Sequence, residues 1–234
     1  EALGVDVRAR VDPVLLSVFN KAIATISGEE RRSIQRKWLG MELPEPVVQP
    51  EKPEDLSLSP EEEQWLQSHP VIRVGVDPEW PPIEFMTDTG QYAGMAIDYM
   101  NRISSMLDVD FEMLKGHSVS ELLEMSQRGE LDVFSCITKT PQRSEYLLFT
   151  RPYLTFPVMV FTRQSVPYVG QLSELADRKV SVAKDYAVHE WIARDYPDIE
   201  LTPVETVAGA LDKLTHHETD AYIGNILTTG FFIS

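Results

Sequence analysis

Apolar positions in the middle of the chain follow two periods, one typical of strands and one typical of helices. Alternating or continuous apolar runs lie at 71–76, 111–114 and 131–134. Between them, apolar residues recur about one helical turn apart, as from Ala96 to Leu107. The order strand, helix, strand, helix, strand predicts a parallel sheet covered by helices.

The same pattern returns after an extended run at 154–162, which is long enough to pass from one body to another. Strands are predicted at 179–183, 200–204 and 220–223. Helices are predicted between them, with Thr206 as the cap of the second, and another begins near Ile226. We therefore expect a second α/β lobe.

The first 40 residues predict a short strand and two helices. An alternating run at 5–11 precedes Asp12-Pro13, an N-cap followed by a first-turn proline. Ser27 and Glu30 have capping-box spacing, and Gly40 is placed to end the second helix. Residues 41–70 then predict a Pro/Glu-rich linker and a short helix that begins after Ser59.

The stretch 135–156 has the features of a binding site. Thr140-Pro141 predicts a helix start, with Arg143 in its first turn. A guanidinium beside exposed backbone N–H donors suits a carboxylate. Ser135 and Thr138 follow the strand 131–134, at the strand end where open α/β sheets bind ligands. Turn capping explains Ser135 equally well.

A second candidate segment follows the strand 71–76. Asp77 opens a proline-rich loop that we expect to be stiff and unable to continue a strand ladder. Trp80 is either a lid over a ligand or a packing partner of Pro81 and Pro82. Glu84 is predicted to be structural.

These motifs resemble a known family. The block Phe149-Thr150-Arg151-Pro152-Tyr153, after a Thr-rich turn and Arg143, resembles the signature of the family 3 periplasmic solute-binding proteins, the Venus flytrap modules. Residues 76–82, 185–187 and 220–225 are similar to the repeated flytrap modules of virulence-type sensor histidine kinases. The resemblance implies an α/β, two-lobe, periplasmic-binding-protein-like (type II) fold. Each lobe (71–156 and 157–234) would have a parallel or mixed sheet, with a hinge between the lobes.

The resemblance also implies roles for individual residues. Arg143 would grip a ligand carboxylate, and Asp77 and Trp80 match an acid and an aromatic lid of the first loop. Tyr186 and Ala187 open a helix where amino-acid binders usually carry Gly and Thr or Ser. Asn225 stands where those proteins commonly pair an Asp with the ligand ammonium. A plain carboxylate or small aromatic acid is therefore favoured over an α-amino acid.

Residues 1–40 resemble the C-terminal strand and helices of a flytrap module, an unusual piece to find before a linker. Lobe 2 in turn stops before its expected return to lobe 1. We expect residues 5–40 to dock where the module's own tail would lie, as a permuted piece. Phe19 and Trp38 must then contact residues 71–134.

Composition narrows the function classes. The formal charge of −16 argues against nucleic acid and anionic membranes as partners. A single cysteine, Cys136, permits no internal disulfide, and neither a signal peptide nor a spanning apolar run is recognisable. His216 and His217 are adjacent and would point apart on a helix, so no metal site is expected. No cofactor is expected either, and no nucleophile–base arrangement is recognisable.

The leading interpretation is an extracytoplasmic (periplasmic) ligand-sensing domain of a sensor histidine kinase or similar receptor. Its expected partners are a small carboxylate or amino-acid-like solute, a neighbouring flytrap module and membrane-anchored signalling domains, with a homodimer as a further expectation. Three alternatives remain open. They are the solute-binding protein of an ABC importer, an enzyme on the same fold, and a ligand-free spacer module.

Overall fold

The computed structural model describes residues 2–10, 12–40, 56–166 and 169–233. The predicted linker lies largely outside these ranges, at 41–55. The chain divides into two units, one of Gly4–Thr155 and one formed mainly by the residues from Phe156 onward. We call them the first lobe and the second lobe.

The first lobe holds helices on a mixed sheet. In chain order its elements are β1 (Ala2–Arg10), α1 (Pro13–Thr25), α2 (Gly28–Leu39), α3 (Pro60–Ser68), β2 (Val71–Gly75), β3 (Glu79–Trp80), β4 (Glu84–Met86), β5 (Tyr92–Ala93), α4 (Met95–Leu107), β6 (Asp110–Leu114), α5 (Val119–Arg128), β7 (Val133–Thr138) and β8 (Leu147–Phe149).

The main sheet of this lobe has the order β1-β7-β2-β6, and β8 also pairs with β1. Strand β2 is parallel to β6 and β7, whereas β1 is antiparallel to β7 and β8. A smaller antiparallel sheet joins β3, β4 and β5. The loop after β2 was expected to form no ladder, but Glu79 and Trp80 start this second one, with Trp80 opposite Glu84.

The helices begin where the capping residues predict. The Asp12 carboxylate accepts hydrogen bonds from the N–H groups of Val14 and Leu15, at 2.9 and 3.2 Å. Ser27, Ser59 and Ser118 each form a capping box that opens α2, α3 and α5. Local side-chain chemistry therefore sets these boundaries.

Helices α1 and α2 pack on the body of the first lobe. Phe19 is fully buried and stacks on Phe111, with ring centroids 5.9 Å apart. Trp38 meets Phe85 edge-on at 5.9 Å, and its indole N–H donates to Asp98 at 2.7 Å. The contacts expected of Phe19 and Trp38 are present.

The second lobe is a smaller α/β unit. It contains β9 (Leu154–Thr162), which begins at the end of the first unit, then β10 (Lys179–Ala183), α6 (Ala187–Asp195), β11 (Glu200–Val204), α7 (Val207–Thr215), β12 (Ala221–Asn225) and α8 (Ile226–Ile233). The sheet order is β11-β10-β12-β9. Strand β10 is parallel to β11 and β12, and β9 is antiparallel to β12.

Two predictions near the candidate site need correction. Strand β7 runs from Val133 to Thr138 instead of 131–134, so Ser135 is an interior strand residue. Thr140-Pro141 does not open an α-helix. It leads into a 3₁₀ turn at Arg143–Glu145.

Within the described ranges, no helix combines the length and apolar character that a bilayer crossing requires.

Candidate functional site

Four of the predicted site residues lie at one edge of the first-lobe sheet. Strands β2 and β7 are parallel neighbours, with Gly75 opposite Phe134. Their carboxyl ends therefore meet at the same edge, which is where ligands of open α/β sheets bind. Asp77 and Trp80 follow β2, Thr138 ends β7, and Arg143 lies in the next turn.

Arg143 is held against the end of β7. Its guanidinium donates to the main-chain oxygen of Thr138 at 3.0 Å, and its backbone N–H donates to the Thr140 hydroxyl at 3.1 Å. The residue is 2% exposed. The expectation of outward-pointing donors in this turn is therefore wrong for the Arg143 amide. The bond to Thr138 and the turn at Thr140 together restrict where the guanidinium lies.

The loop after β2 is equally well fixed. The Asp77 carboxylate accepts a hydrogen bond from the Glu79 N–H at 2.8 Å, and the Asp77 N–H donates to the Glu84 carboxyl at 2.9 Å. Trp80 is 8% exposed within β3. This burial accords with a packing role, and a lid role for its exposed edge stays a prediction.

Ser135 differs from expectation because it lies inside β7 and is fully buried. Its hydroxyl is hydrogen-bonded to the carboxyl of Glu84 and donates to the main-chain oxygen of Gly75 at 3.2 Å. A polar side chain is tolerated in this strand because these partners satisfy it. Ser135 thus ties β7 to β2 and β4.

Glu84 is more central than its sequence position indicates. It is 1% exposed, and burial raises its pKa well above the usual range. The nearby Asp77 charge raises it further, while hydrogen bonds from Ser135 and the Asp77 amide act in the opposite direction. The sequence signal that could have indicated its burial is the placement of an acidic residue between the apolar residues Ile83 and Phe85.

Tyr92 was also missed by sequence reasoning. Its hydroxyl donates to the main-chain oxygen of Leu114, the last residue of β6, at 2.9 Å. Burial raises the pKa of Tyr92 to about 12, with further contributions from Glu84 and Asp77. Tyr92 follows the turn at Thr87–Gly90, and it belongs to no sequence motif that would have indicated its place near the site.

The remaining predicted site residues lie at the corresponding edge of the second-lobe sheet. Strands β10 and β12 are parallel neighbours, so the start of α6 and the end of β12 share an edge. Tyr186 is the N-cap residue of α6 and packs against the hydrophobic cluster that contains Val207 and Tyr222. Ala187, the first helical residue, is buried. The helix α6 begins at this edge, and its first N–H groups have no acceptors within the helix.

Asn225 caps the helix that begins after it. Its side-chain oxygen accepts from the Leu227 N–H at 2.8 Å, and its main-chain oxygen accepts from the Thr229 hydroxyl at 2.7 Å. The Leu227 N–H requires an acceptor, so the amide orientation is fixed. The side-chain NH₂ of Asn225 is therefore the group left for a ligand, and it donates hydrogen bonds. An aspartate at this position would instead have offered a negative charge to a ligand ammonium.

Among the described residues, no group of three or more His, Cys, Asp and Glu side chains is placed to hold a metal ion. His216 is the C-cap residue of α7, and its ring nitrogen Nδ1 lies 2.8 Å from the main-chain oxygen of Asp212. Cys136 is buried, as expected of a small filler residue.

The chain has two α/β lobes, each with polar candidate binding residues at the carboxyl ends of parallel strands. This arrangement defines a periplasmic-binding-protein-like flytrap fold. Residues 72–219 match the model of the bacterial extracellular solute-binding proteins, family 3. The chain belongs to this family.

Similar proteins include bacterial sensor proteins. The chain is 24% identical over 221 residues to the virulence sensor protein BvgS of Bordetella pertussis, covering 94% of this chain and 17% of BvgS. It is also 24% identical over 221 residues to the sensor protein EvgS of Escherichia coli K12, covering 94% of this chain and 18% of EvgS. The chain therefore spans under a fifth of these relatives.

A solved structure shows the same fold. The periplasmic VFT2 domain of Bordetella pertussis BvgS superposes with a TM-score of 0.66 at 23% identity, covering 75% of each chain. The chain is thus a solute-binding flytrap domain similar to those of the BvgS and EvgS sensors.

Proposed function

We propose that this chain is the extracytoplasmic ligand-sensing domain of a sensor histidine kinase or a similar receptor. It binds a small carboxylate-bearing solute between its lobes, in the periplasm, and signals by lobe closure. The observation that carries the proposal is Arg143, which is buried and oriented by Thr138 and Thr140 at the carboxyl edge of the first-lobe sheet.

The second-lobe edge supports a ligand rich in hydrogen-bond acceptors. It offers the N-terminus of α6 and the amide of Asn225, whose oxygen is committed to Leu227. Both elements favour negative charge on the ligand. A carboxylate without an α-ammonium group fits this set better than an amino acid.

A receptor role is favoured over an importer role by the N-terminal helices. Residues 13–39 pack on the first lobe through Phe19 and Trp38, which is the arrangement expected if modules in a tandem array exchange their tails. We infer that residues 1–40 are the permuted C-terminal piece of a flytrap module. Neighbouring modules and membrane-anchored signalling domains of the same protein are then the partners, and a homodimer is a further proposal.

One observation favours a second candidate, a spacer module that binds no ligand. Arg143 is almost fully buried and bonds a main-chain carbonyl of its own lobe. An arginine whose role is purely to hold the β7 turn would have the same surroundings.

A thermal-shift panel separates the two candidates. The probes are benzoate, nicotinate, succinate, L-arginine and L-glutamine. A probe at about 100 times its Kd adds about 2.7 kcal/mol, or about 5–10 °C in Tm for a chain of this size. The sensing proposal expects a carboxylate to produce such a shift, to lose it in Arg143→Ala and to keep it in Arg151→Ala. Arg151 is a nearby exposed arginine. No shift with any probe supports the spacer.

A further inference from the structure

The buried carboxyl of Glu84 has hydrogen-bond partners that suit a neutral carboxylic acid. One carboxyl oxygen accepts from the Asp77 N–H at 2.9 Å. The other is hydrogen-bonded to the Ser135 hydroxyl, which also lies 3.2 Å from the main-chain oxygen of Gly75. A serine hydroxyl has a single hydrogen, so Ser135 cannot donate to Glu84 and to Gly75 at the same time.

Protonation of Glu84 allows both contacts of the Ser135 hydroxyl to be hydrogen bonds. The carboxylic acid donates its proton to the Ser135 oxygen, and Ser135 then donates its own hydrogen to the Gly75 oxygen. The Asp77 N–H still has its acceptor. The Asp77 N–H, both Glu84 oxygens, the Ser135 hydroxyl and the Gly75 oxygen then all have partners, as a buried network requires.

The surrounding charges agree with a neutral acid. Glu84 faces Asp77 from the loop after β2, Tyr92 from β5, and Tyr153 from the segment before β9. Asp77 contributes negative charge, and the Tyr153 hydroxyl is itself committed to the Ser135 main-chain oxygen at 2.8 Å. Burial accordingly shifts the pKa of Glu84 upward.

We propose that Glu84 is a neutral carboxylic acid at pH 7 and acts as the positioning residue of the Asp77–Trp80 loop, which it joins to β7 through Ser135. Its backbone also pairs with Trp80, so the residue holds the loop through both side chain and main chain. The inference concerns the protein without ligand and does not depend on the proposed function.

The first test compares the unfolding free energy of wild type and Glu84→Gln between pH 4 and 8. Glutamine reproduces the neutral relay, with its oxygen facing Asp77 and its amide donating to Ser135. A raised pKa in the folded state is stabilising below the unfolded value of about 4.3, and this advantage is lost as pH rises. The folding equilibrium constant of wild type should therefore fall about tenfold, relative to that of Glu84→Gln, for each pH unit above about 4.3. This fall should stop where the pH reaches the pKa of Glu84 in the folded protein.

Three results would overturn the proposal. They are a Glu84→Gln variant that fails to fold, a wild-type advantage that grows with pH, or a difference between the two proteins that does not change with pH. Glu79→Gln, at an exposed position in the adjacent strand, is the matched control variant.

A second measurement tests positioning directly. The Asp77 amide proton should exchange slowly in wild type and Glu84→Gln, and at least tenfold faster in Glu84→Ala. Infrared difference spectra at pH 7 between wild type and Glu84→Gln should contain the carbonyl band of a protonated carboxylic acid. An ionised-carboxylate band in its place, or equal exchange in all three proteins, would contradict the proposal.

Discussion

Phe19 of α1 and Phe111 of β6 stack at 5.9 Å with an interplanar angle of 14°. This contact joins the N-terminal helices to the sheet that carries the candidate site, although the 41–55 segment separates them in sequence. It is the physical basis for treating α1 and α2 as part of the first lobe.

Replacing Phe19 by Ala should destabilise the first lobe by about 3–5 kcal/mol, because the ring is fully buried and leaves a cavity. Urea unfolding measures the loss. Phe231→Ala, at a ring 49% exposed on α8, is the control and should cost less than about 1 kcal/mol. Equal costs would mean that α1 does not pack as described.

A second prediction concerns Gly224 in β12. A Cβ there would overlap the Tyr222 hydroxyl oxygen, so Gly224→Ala forces the buried tyrosine ring to move. The expected cost is about 1–3 kcal/mol. Gly230→Ala on α8, where a Cβ meets nothing within 4 Å, should be neutral or stabilising by up to about 1 kcal/mol. Thermal unfolding of the two variants decides, and similar Tm values would contradict this packing.

A third prediction is a pH dependence at Glu62 of α3. Burial alone would raise its pKa, but hydrogen bonds from Lys21, Ser17 and the Ser59 amide outweigh burial and lower the pKa to about 2. A depressed folded pKa stabilises the protein above the unfolded value of about 4.3, and the contribution is lost as pH falls toward 2.

Glu62→Gln should therefore cost about 2 kcal/mol at pH 7 and almost nothing near pH 2, in unfolding experiments across that range. Glu61→Gln, at an exposed position one residue earlier, serves as the control. A Glu62→Gln cost that is the same at both pH values would rule out this ion pair as the cause.

The sequence predicted helix starts well and the surroundings of buried polar groups poorly. Asp12, Ser27, Ser59 and Thr206 marked helix starts correctly, because a cap bonds backbone groups within three residues of itself. The order of elements could be predicted from periodicity in the same way.

Non-local pairing explains the errors. The predicted third strand stopped with the apolar run at 134, but it continues through Ser135, whose hydroxyl is satisfied by Glu84 from a different strand. Glu79 and Trp80 pair with β4 despite the adjacent prolines. Thr140 caps the Arg143 amide as its type suggests, yet the chain there forms only a 3₁₀ turn of three residues.

The candidate site was predicted in part. Asp77, Trp80, Thr138 and Arg143 do lie at one sheet edge, as the strand order required. The near-complete burial of Arg143 was not visible in the sequence, since it depends on the packing of β7 and the turn after it. For Asn225, the residue type predicted the lost charge, and its role as the α8 cap emerged from the structure.

A fourth prediction separates capping from ligand contact at Asn225. Asn225→Asp keeps the acceptor for Leu227, so the unfolding free energy should change by less than about 0.5 kcal/mol, whereas Asn225→Ala should lose about 1 kcal/mol. The aspartate should weaken carboxylate binding at least tenfold by like-charge repulsion. Titration calorimetry that finds unchanged binding in Asn225→Asp would remove this residue from the site.

The role of Arg143 is tested most directly by a calorimetric titration with matched ligand pairs, a carboxylate and its carboxamide, such as benzoate and benzamide or nicotinate and nicotinamide. We predict that wild type binds the carboxylate at least about 30-fold more tightly, as expected for a charge-assisted bond worth about 2 kcal/mol. This preference should fall to near unity in Arg143→Ala and persist in Arg151→Ala. Equal affinity of wild type for both members of every pair, or a preference that survives Arg143→Ala, would contradict the assignment of Arg143 as the carboxylate-binding residue.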